Sequence, residues 1–522
     1  MKFSTLGKLI APFLWGSVGM FFILISERTL YSFVKNIDYY QYGIIFISLI
    51  YFMIVIFSIR YLMKFNSYLI DIVIITIVAS VLRIVSIIYI NTQPVDDFLG
   101  YYNEALRVTT TKEIDISFSR FLNTPELFSY VLWEAMILTI LGKEQFSIQI
   151  TNTISCTIIS LLIYLFLRKI NRQTAIAGGL LFSLSPASLI LTPVLTNQHS
   201  SLLFYLISFY LVTIENNTEK TYLPILKYFT SGILIGIGQL IRPDGIISLL
   251  SIISFLIIFN PQVNFIQENS KFSPKILKIA QSALLGLFLC IGFAIPINSY
   301  LLISKVDQER YQYLSTLNTY YKIWVGLNPQ TRGTWNLEDA LLHDDLKKNQ
   351  TIDQSMPQIK IVLANRIKNL PSLLTLFSDK INILWVEKDF SFSWATQDTY
   401  SKEQKELIDS LPERKRNRII NDKEYWLENF ERIFHTFDNV FRLIIYACAA
   451  FSIWVRKKTI TRFELLFLIV TLLYAGVHLI IEVQTRYRYF LLPIIIMFAS
   501  PVIASLGIKF LSIIYENFKH SD

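Results

Sequence analysis

Apolar runs of about 17–25 residues recur along the chain, separated by short polar and often basic segments. About twelve of them read as membrane-spanning helices: 8–26, 42–62, 70–90, 146–167, 174–192, 199–214, 229–241, 245–260, 280–304, 440–455, 463–481 and 489–514. Inside a bilayer a single segment can satisfy all its backbone N–H and C=O groups only as a helix. Two long polar stretches interrupt the series, at about 91–145 and about 305–439. The pattern predicts an all-α polytopic membrane protein in four parts. These are an N-terminal hairpin (1–69), a transmembrane core (70–304) with its first outer loop at 91–145, a late extracytoplasmic α-rich domain (305–439) and C-terminal transmembrane helices (440–522). The segment 124–142, which carries Glu126 and Glu134, reads as an amphipathic helix lying in the interface, and 369–386 is similar.

Composition agrees. Of 522 residues, 53% are hydrophobic and 17% charged, with a mean hydropathy of +0.46; a soluble protein carries about a quarter charged residues. The net charge of +9 would raise the question of nucleic acid in a soluble chain. Here the basic residues fall in short loops, as the cytoplasmic side of a membrane protein requires, so no nucleic-acid partner is expected. With both termini cytoplasmic, the inner loops hold Lys2 and Lys8, Arg60 and Lys64, Arg168, Lys169 and Arg172, Lys220 and Lys227, Lys271, Lys275 and Lys278, and Arg456, Lys457, Lys458 and Arg462. Both long polar stretches then lie outside. The first span lacks a small-residue cleavage site and is expected to be retained. Cys156, Cys290 and Cys448 fall inside apolar runs and are expected to be buried thiols.

Four polar groups stand out. Asp96–Asp97 sit at the outer edge of the third span, where two adjacent carboxylates suit general-base work; a helix N-cap is the plainer role. Arg242, in LIRPDG, is placed to bind phosphate through two parallel hydrogen bonds, or else to pair with Asp244. His478, Glu482 and Arg486 are spaced to share one helix face, followed by Arg488 in RYRYFLLP. Arg83 lies within a span and needs a partner in the bundle; Asp71, three turns away, is a poor one. Phosphate-binding Walker loops, GxSxG, HExxH and zinc-spaced His/Cys clusters are absent from the sequence.

Taken in order, these motifs resemble the GT-C glycosyltransferases, in particular the protein O-mannosyltransferase and aminoarabinose-transferase branch of bacteria. The likeness rests on Asp96–Asp97 ahead of Tyr101 and Tyr102, on Pro125 and Gly142 bounding a helix, and on Asn152 and Ser185–Pro186. It continues in GILIGIGQLIRPDG (232–245) and RYRYFLLP (486–493). There are departures: Gln149 stands where Arg is usual, Thr196–Asn197–Gln198 lacks the usual Glu, and the acidic pair follows the third span, which makes the first two an added hairpin. The loop VGLNPQTRGTWNLED (325–339) resembles that of some bacterial members, with Gly333, Trp335 and Asn336 prominent.

The resemblance implies an inverting transfer of sugar from a polyprenyl-phosphate donor to a hydroxyl at the outer face of the cell membrane. It implies Asp97 as base and Asp96 as alternate base or orienter. Arg242, Arg486 and Arg488 would bind the donor phosphate. Tyr101, Tyr102, His478, Glu482, Trp335 and Asn336 would support or contact substrate. No cofactor or metal is called for if guanidinium groups hold the leaving phosphate. A composition rich in Ile, Lys and Asn suggests a bacterial chain, hence undecaprenyl phosphate and a cell-wall or surface glycopolymer acceptor, with a protein or lipid acceptor left open. The rival class is a transporter or flippase of a lipid-linked sugar; against it, the two halves carry no detectable repeat.

Overall fold

The computed structural model describes residues 5–36, 41–214, 222–259, 274–389, 391–456 and 459–519. Lys2, Lys220, Lys271, Lys457 and Lys458 of the expected cytoplasmic set lie outside the described residues, as does the side chain of Lys275. All regular structure among the described residues is helical. In chain order the helices are α1 (Thr5–Asn36), α2 (Gln41–Met63), α3 (Tyr68–Ile90), α4 (Asp96–Thr111), α5 (Pro125–Leu141), α6 (Gln145–Leu167) and α7 (Arg172–Ser183). Then come α8 (Pro186–Leu191), α9 (Gln198–Thr213), α10 (Tyr222–Ile241), α11 (Gly245–Phe259), α12 (Pro274–Ile303), α13 (Gln308–Gly326) and α14 (Leu337–Leu346). The last are α15 (Ile352–Ile367), α16 (Leu370–Ile381), α17 (Ser391–Thr396), α18 (Lys402–Ser410), α19 (Glu413–Arg456), α20 (Arg462–Ile480) and α21 (Leu492–Lys519).

Among the described residues, nine segments are long and apolar enough to cross a membrane: they lie in α1, α2, α3, α6, α10, α12, α19, α20 and Thr485–Leu506. The other three expected runs are helical but shorter. The run 174–192 breaks between α7 and α8, because Pro186 cannot continue the helix and can only start a new one. Helices α9 and α11, of 16 and 15 residues, reach about 22–24 Å, short of the roughly 30 Å hydrocarbon layer.

The bundle is knitted by close backbone approach and by buried polar pairs. Gly232 and Gly236 of α10 face α12; a Cβ on them would stand 2.1 Å from the Leu289 carbonyl oxygen and 2.6 Å from that of Phe293. Small residues at this spacing let two membrane helices touch. Arg83 is fully buried and donates to the Ala79, Phe182 and Ser183 carbonyls and to Ser188 Oγ at 2.7–3.3 Å. Its partner is thus the open backbone of the α7–α8 break. Asp71 instead receives both Arg172 (2.7 and 2.8 Å) and Tyr164 (2.9 Å).

The N-terminal hairpin is part of the bundle: α1 packs along α19 and α20, α2 against α19 and α21. Near the far end of α1, Arg28 donates to the Ser378 carbonyl (3.0 Å) and to Asn382 (2.9 Å) beside α16. That end of α1 therefore lies with the late helical domain, and Lys8 lies at the opposite end. The late helical domain comprises α13 to α18 and has its own small core, including Leu314, Leu317, Trp324 and Ile359. No break occurs at 440, because α19 runs unbroken from this domain into the bundle.

Two expectations are corrected. Helix α5 does not show its charges to water; Glu126 and Glu134 turn into the protein, and Glu134 is wholly buried. Of the cysteines only Cys156 is buried, whereas Cys290 is exposed on α12 and Cys448 is half-buried.

Candidate active site

The segment entering α4 is pinned by the late helical domain. The Thr92 hydroxyl donates to the Ala395 carbonyl (2.6 Å), the Gln93 N–H to Asp398 C=O (2.8 Å) and the Asn91 amide to Thr399 C=O (3.1 Å). Asp96 then adopts a left-handed backbone, φ 49°. Asp96 and Asp97 form the first turn of α4, where the helix dipole favours acid. Both carboxylates are exposed and neither makes a hydrogen bond or ion pair among the described residues.

One turn on, Tyr101 stacks on Phe121 (5.5 Å) and meets Tyr130 edge-on (5.3 Å). Burial raises the pKa of its phenol; Asp97 and Glu134 push it further, and Arg486 and Lys322 oppose them. Tyr101 is thus the point where charges from α4, α5, α13 and the RYRY segment meet. Glu134 is an acid that no sequence pattern points to this place. Neither of its oxygens finds a hydrogen bond, and the adjacent Tyr130 hydroxyl donates instead to the Leu195 carbonyl (3.4 Å). Burial pushes the Glu134 carboxyl up to about 8.

Arg242 and Arg486, 244 positions apart in sequence, line one cavity together with Gln198, Ser201, Asp244 and Tyr487. The cavity measures about 10 Å³, room for roughly one water. Arg242 pairs with Asp244 at 2.5 Å, reaches Asn197 at 3.4 Å and lies 5.1 Å from the Tyr487 ring centre. Arg486 has no carboxylate within ion-pair distance among the described residues, and its buried Nε lacks a partner. Its guanidinium rests on Trp394, 4.4 Å from the ring centre, and Phe98 of α4 packs edge-on against the same indole (5.7 Å).

Arg488 is not brought to this cavity. It donates to the Glu387 carbonyl (2.8 Å) and sits 3.2 Å from Asp389 and 3.9 Å from Asp438, which Arg442 also holds at 2.8 Å. Two cations and two anions balance there.

His478, Glu482 and Arg486 do not share a helix face, because α20 ends at Ile480. Segment 481–484 is extended: the Glu482 N–H donates to Lys322 C=O (2.8 Å) and the Val483 N–H to Gly333 C=O (3.0 Å). Gly326 makes room for this, since a Cβ there would meet Ile480, Ile481 and Glu482 backbone at 2.2–2.5 Å. Glu482 pairs with Lys322 (3.1 Å) and accepts from Gln484 (2.7 Å). Burial would raise its pKa, but Lys322, Gln484 and Arg486 together hold it below the usual carboxylate range. His478 is buried against Tyr474, its Nδ1 2.8 Å from that residue's carbonyl.

The remaining predicted residues lie apart. The Tyr102 hydroxyl donates to Lys143 C=O (3.0 Å). Trp335 is exposed, and Asn336 caps α14 by accepting from the Asp339 N–H (2.9 Å). Gln149 and Asn152 hold the 192–194 turn, donating to the Pro193, Thr192 and Val194 carbonyls at 2.8–3.2 Å. Among the described residues no three His, Cys, Asp or Glu side chains converge as metal ligands would. Sequence reasoning missed Trp394, Lys322 and the inward turn of Glu134. A lone Trp in the polar stretch SFSWATQD was the only signal for the first.

The sequence model of the dolichyl-phosphate-mannose-protein mannosyltransferase family matches residues 123–291, about a third of the chain. The match opens just before α5 and closes within α12. It supports a membrane-embedded glycosyltransferase of the GT-C type that uses a polyprenyl-phosphate sugar in general. No curated protein and no solved structure matches the chain.

Proposed function

We propose that this chain transfers a sugar from undecaprenyl phosphate to a hydroxyl of a cell-wall or surface glycopolymer at the outer face of the membrane. Asp97 takes the proton of the acceptor hydroxyl, a contribution of about 10²–10⁴-fold. The freed oxygen attacks the anomeric carbon from the side opposite the phosphate. The sugar–oxygen bond breaks, its electron pair goes to the departing phosphate, and the configuration inverts. The cavity between Arg486 and Arg242 opens to admit that phosphate, and the two guanidinium groups stabilise its growing charge. Asp96 orients the loop, and Tyr101 links the base to the rest of the site. Glu482 and Lys322 fix the approach of the RYRY segment.

The observation that carries this reading is the double position of Arg486. It shares a cavity with Arg242 on one side and rests on Trp394 on the other, against which Phe98, next to Asp97 in α4, packs edge-on. A base and a phosphate clamp are thereby joined through one side chain. The test is transfer of labelled sugar from a lipid-phosphate donor by membranes bearing Asp97→Asn. Transfer should fall at least about 10²-fold at equal protein level; near-normal transfer rejects the assignment.

A further inference from the structure

A buried lysine of the late helical domain sits where the chain enters the site. Lys380, on α16, is 1% exposed. Its ammonium donates to the carbonyls of Gly326 (2.8 Å), Leu479 (2.8 Å) and Ile481 (2.7 Å). All three of its protons are used, and each acceptor is a backbone oxygen left open where α13 or α20 ends. Terminal carbonyls of a helix need such donors. With its last carbonyls taken by an ammonium, α20 stops at Ile480 and the chain runs extended toward Arg486.

We propose that Lys380 is a positioning residue: by clasping the ends of α13 and α20 it holds segment 481–484 extended and so sets where Arg486, in the 3₁₀ turn that follows (Thr485–Leu491), presents its guanidinium. The role rests on the reading of Arg486 as part of the donor site. Four other observations fit it. Gly326 lets the two backbones touch. The Glu482 and Val483 N–H groups pair with Lys322 and Gly333 C=O just beyond the clasp. Gly333 is also in contact with the lysine, since a Cβ on it would lie 3.0 Å from Lys380 Cδ. The Glu482–Lys322 pair locks the same segment to α13.

The charged and titratable groups around Lys380 are Glu482 beyond α20, His478 on α20 and Lys322 on α13; on its own helix Asp379 faces Arg332 at 3.9 Å. Burial lowers the Lys380 amine to about 7, opposed by Glu482. A neutral amine has two N–H donors for three carbonyls. As pH rises through that value, one carbonyl loses its donor and the segment loosens.

The test compares wild type, Lys380→Met and Lys380→Arg in detergent micelles by hydrogen exchange of the Glu482 and Val483 amides, and by sugar transfer across pH. Losing hydrogen bonds to a charged donor should speed exchange about tenfold or more in the Met variant, with a matching fall in transfer. Wild type should lose protection and activity on the alkaline side, and Lys380→Arg, which stays charged, should retain both there. Wild-type exchange and an unchanged alkaline limb in both variants overturn the proposal. If Lys380→Met fails to fold, pH-independent protection in wild type overturns it instead. Absence of transfer by wild type would count against the functional reading alone, since the exchange arm does not depend on it.

Discussion

The Arg486 guanidinium lies over the Trp394 indole, 4.4 Å from the ring centre, and takes no carboxylate partner among the described residues. A cation on an aromatic face is held in place without being neutralised, with an interaction of about 0.5–2 kcal/mol. Arg488, two positions on, is neutralised by Asp389 and Asp438. One arginine is thus left free for an incoming anion, and its neighbour is committed to the fold.

The two should respond differently to the same change. Arg486→Gln should lower transfer about 10²-fold, the size of losing one donor to a developing oxyanion, with the protein still stable. Arg488→Gln should strand buried carboxylates at a cost of about 3–5 kcal/mol and reduce folded protein. Donor kinetics alongside thermal melting in detergent separates the outcomes; equal effects of both on melting would contradict the division of roles.

Asp96 carries a left-handed backbone, which Asp and Asn tolerate better than branched residues. Asp96→Asn should keep most transfer, because the backbone is retained and Asp97 remains. Asp96→Val should lose it, adding about 1–2 kcal/mol of backbone strain at the start of α4. Similar activity of the two variants would show that the turn is not used.

Glu134 gives a pH signature. Its folded carboxyl titrates at about 8, against an ordinary 4.5. Below the lower value the acid is protonated in both folded and unfolded chains, and no penalty arises. Between the two values the unfolded chain releases a proton that the folded chain must keep, so stability falls as pH rises through that window. Glu134→Gln mimics the protonated acid and should flatten this fall, read as melting temperature against pH from about 5 to 8. A slope identical to wild type would mean that the acid is solvated.

The α10–α12 contact should tolerate no side chain. Gly232→Leu would drive a Cβ into the Leu289 carbonyl, which belongs to the backbone and cannot yield. Overpacking of this kind costs about 1–3 kcal/mol or more. A lower melting temperature, with Gly286→Leu on the open side of α12 as the neutral control, is the expected result.

Much of this fold is written in local signals. Pro125 opens α5, and Gly142, with φ 111°, closes it; Pro186 splits one apolar run into two helices. The two arginines that line the cavity were legible because each stands just past the end of an apolar run. Their meeting was not, since it depends on how α10 and the RYRY segment pack. The end of α20 was also hidden. Its sequence carries no proline or glycine stop, and the chain turns extended because Lys380, about a hundred positions earlier, takes its carbonyls. Glu134 misled for a related reason. Polar residues on an interfacial helix normally face water, and only the partners on neighbouring helices decide otherwise.

Helix α19 extends without a joint over 44 residues, about 66 Å, from the late helical domain deep into the bundle. A rod of that length acts as a rigid mast. The late helical domain cannot tilt at that crossing without tilting the helix as well. Any change in the placement of that domain is therefore felt along the whole helix, down to Arg456.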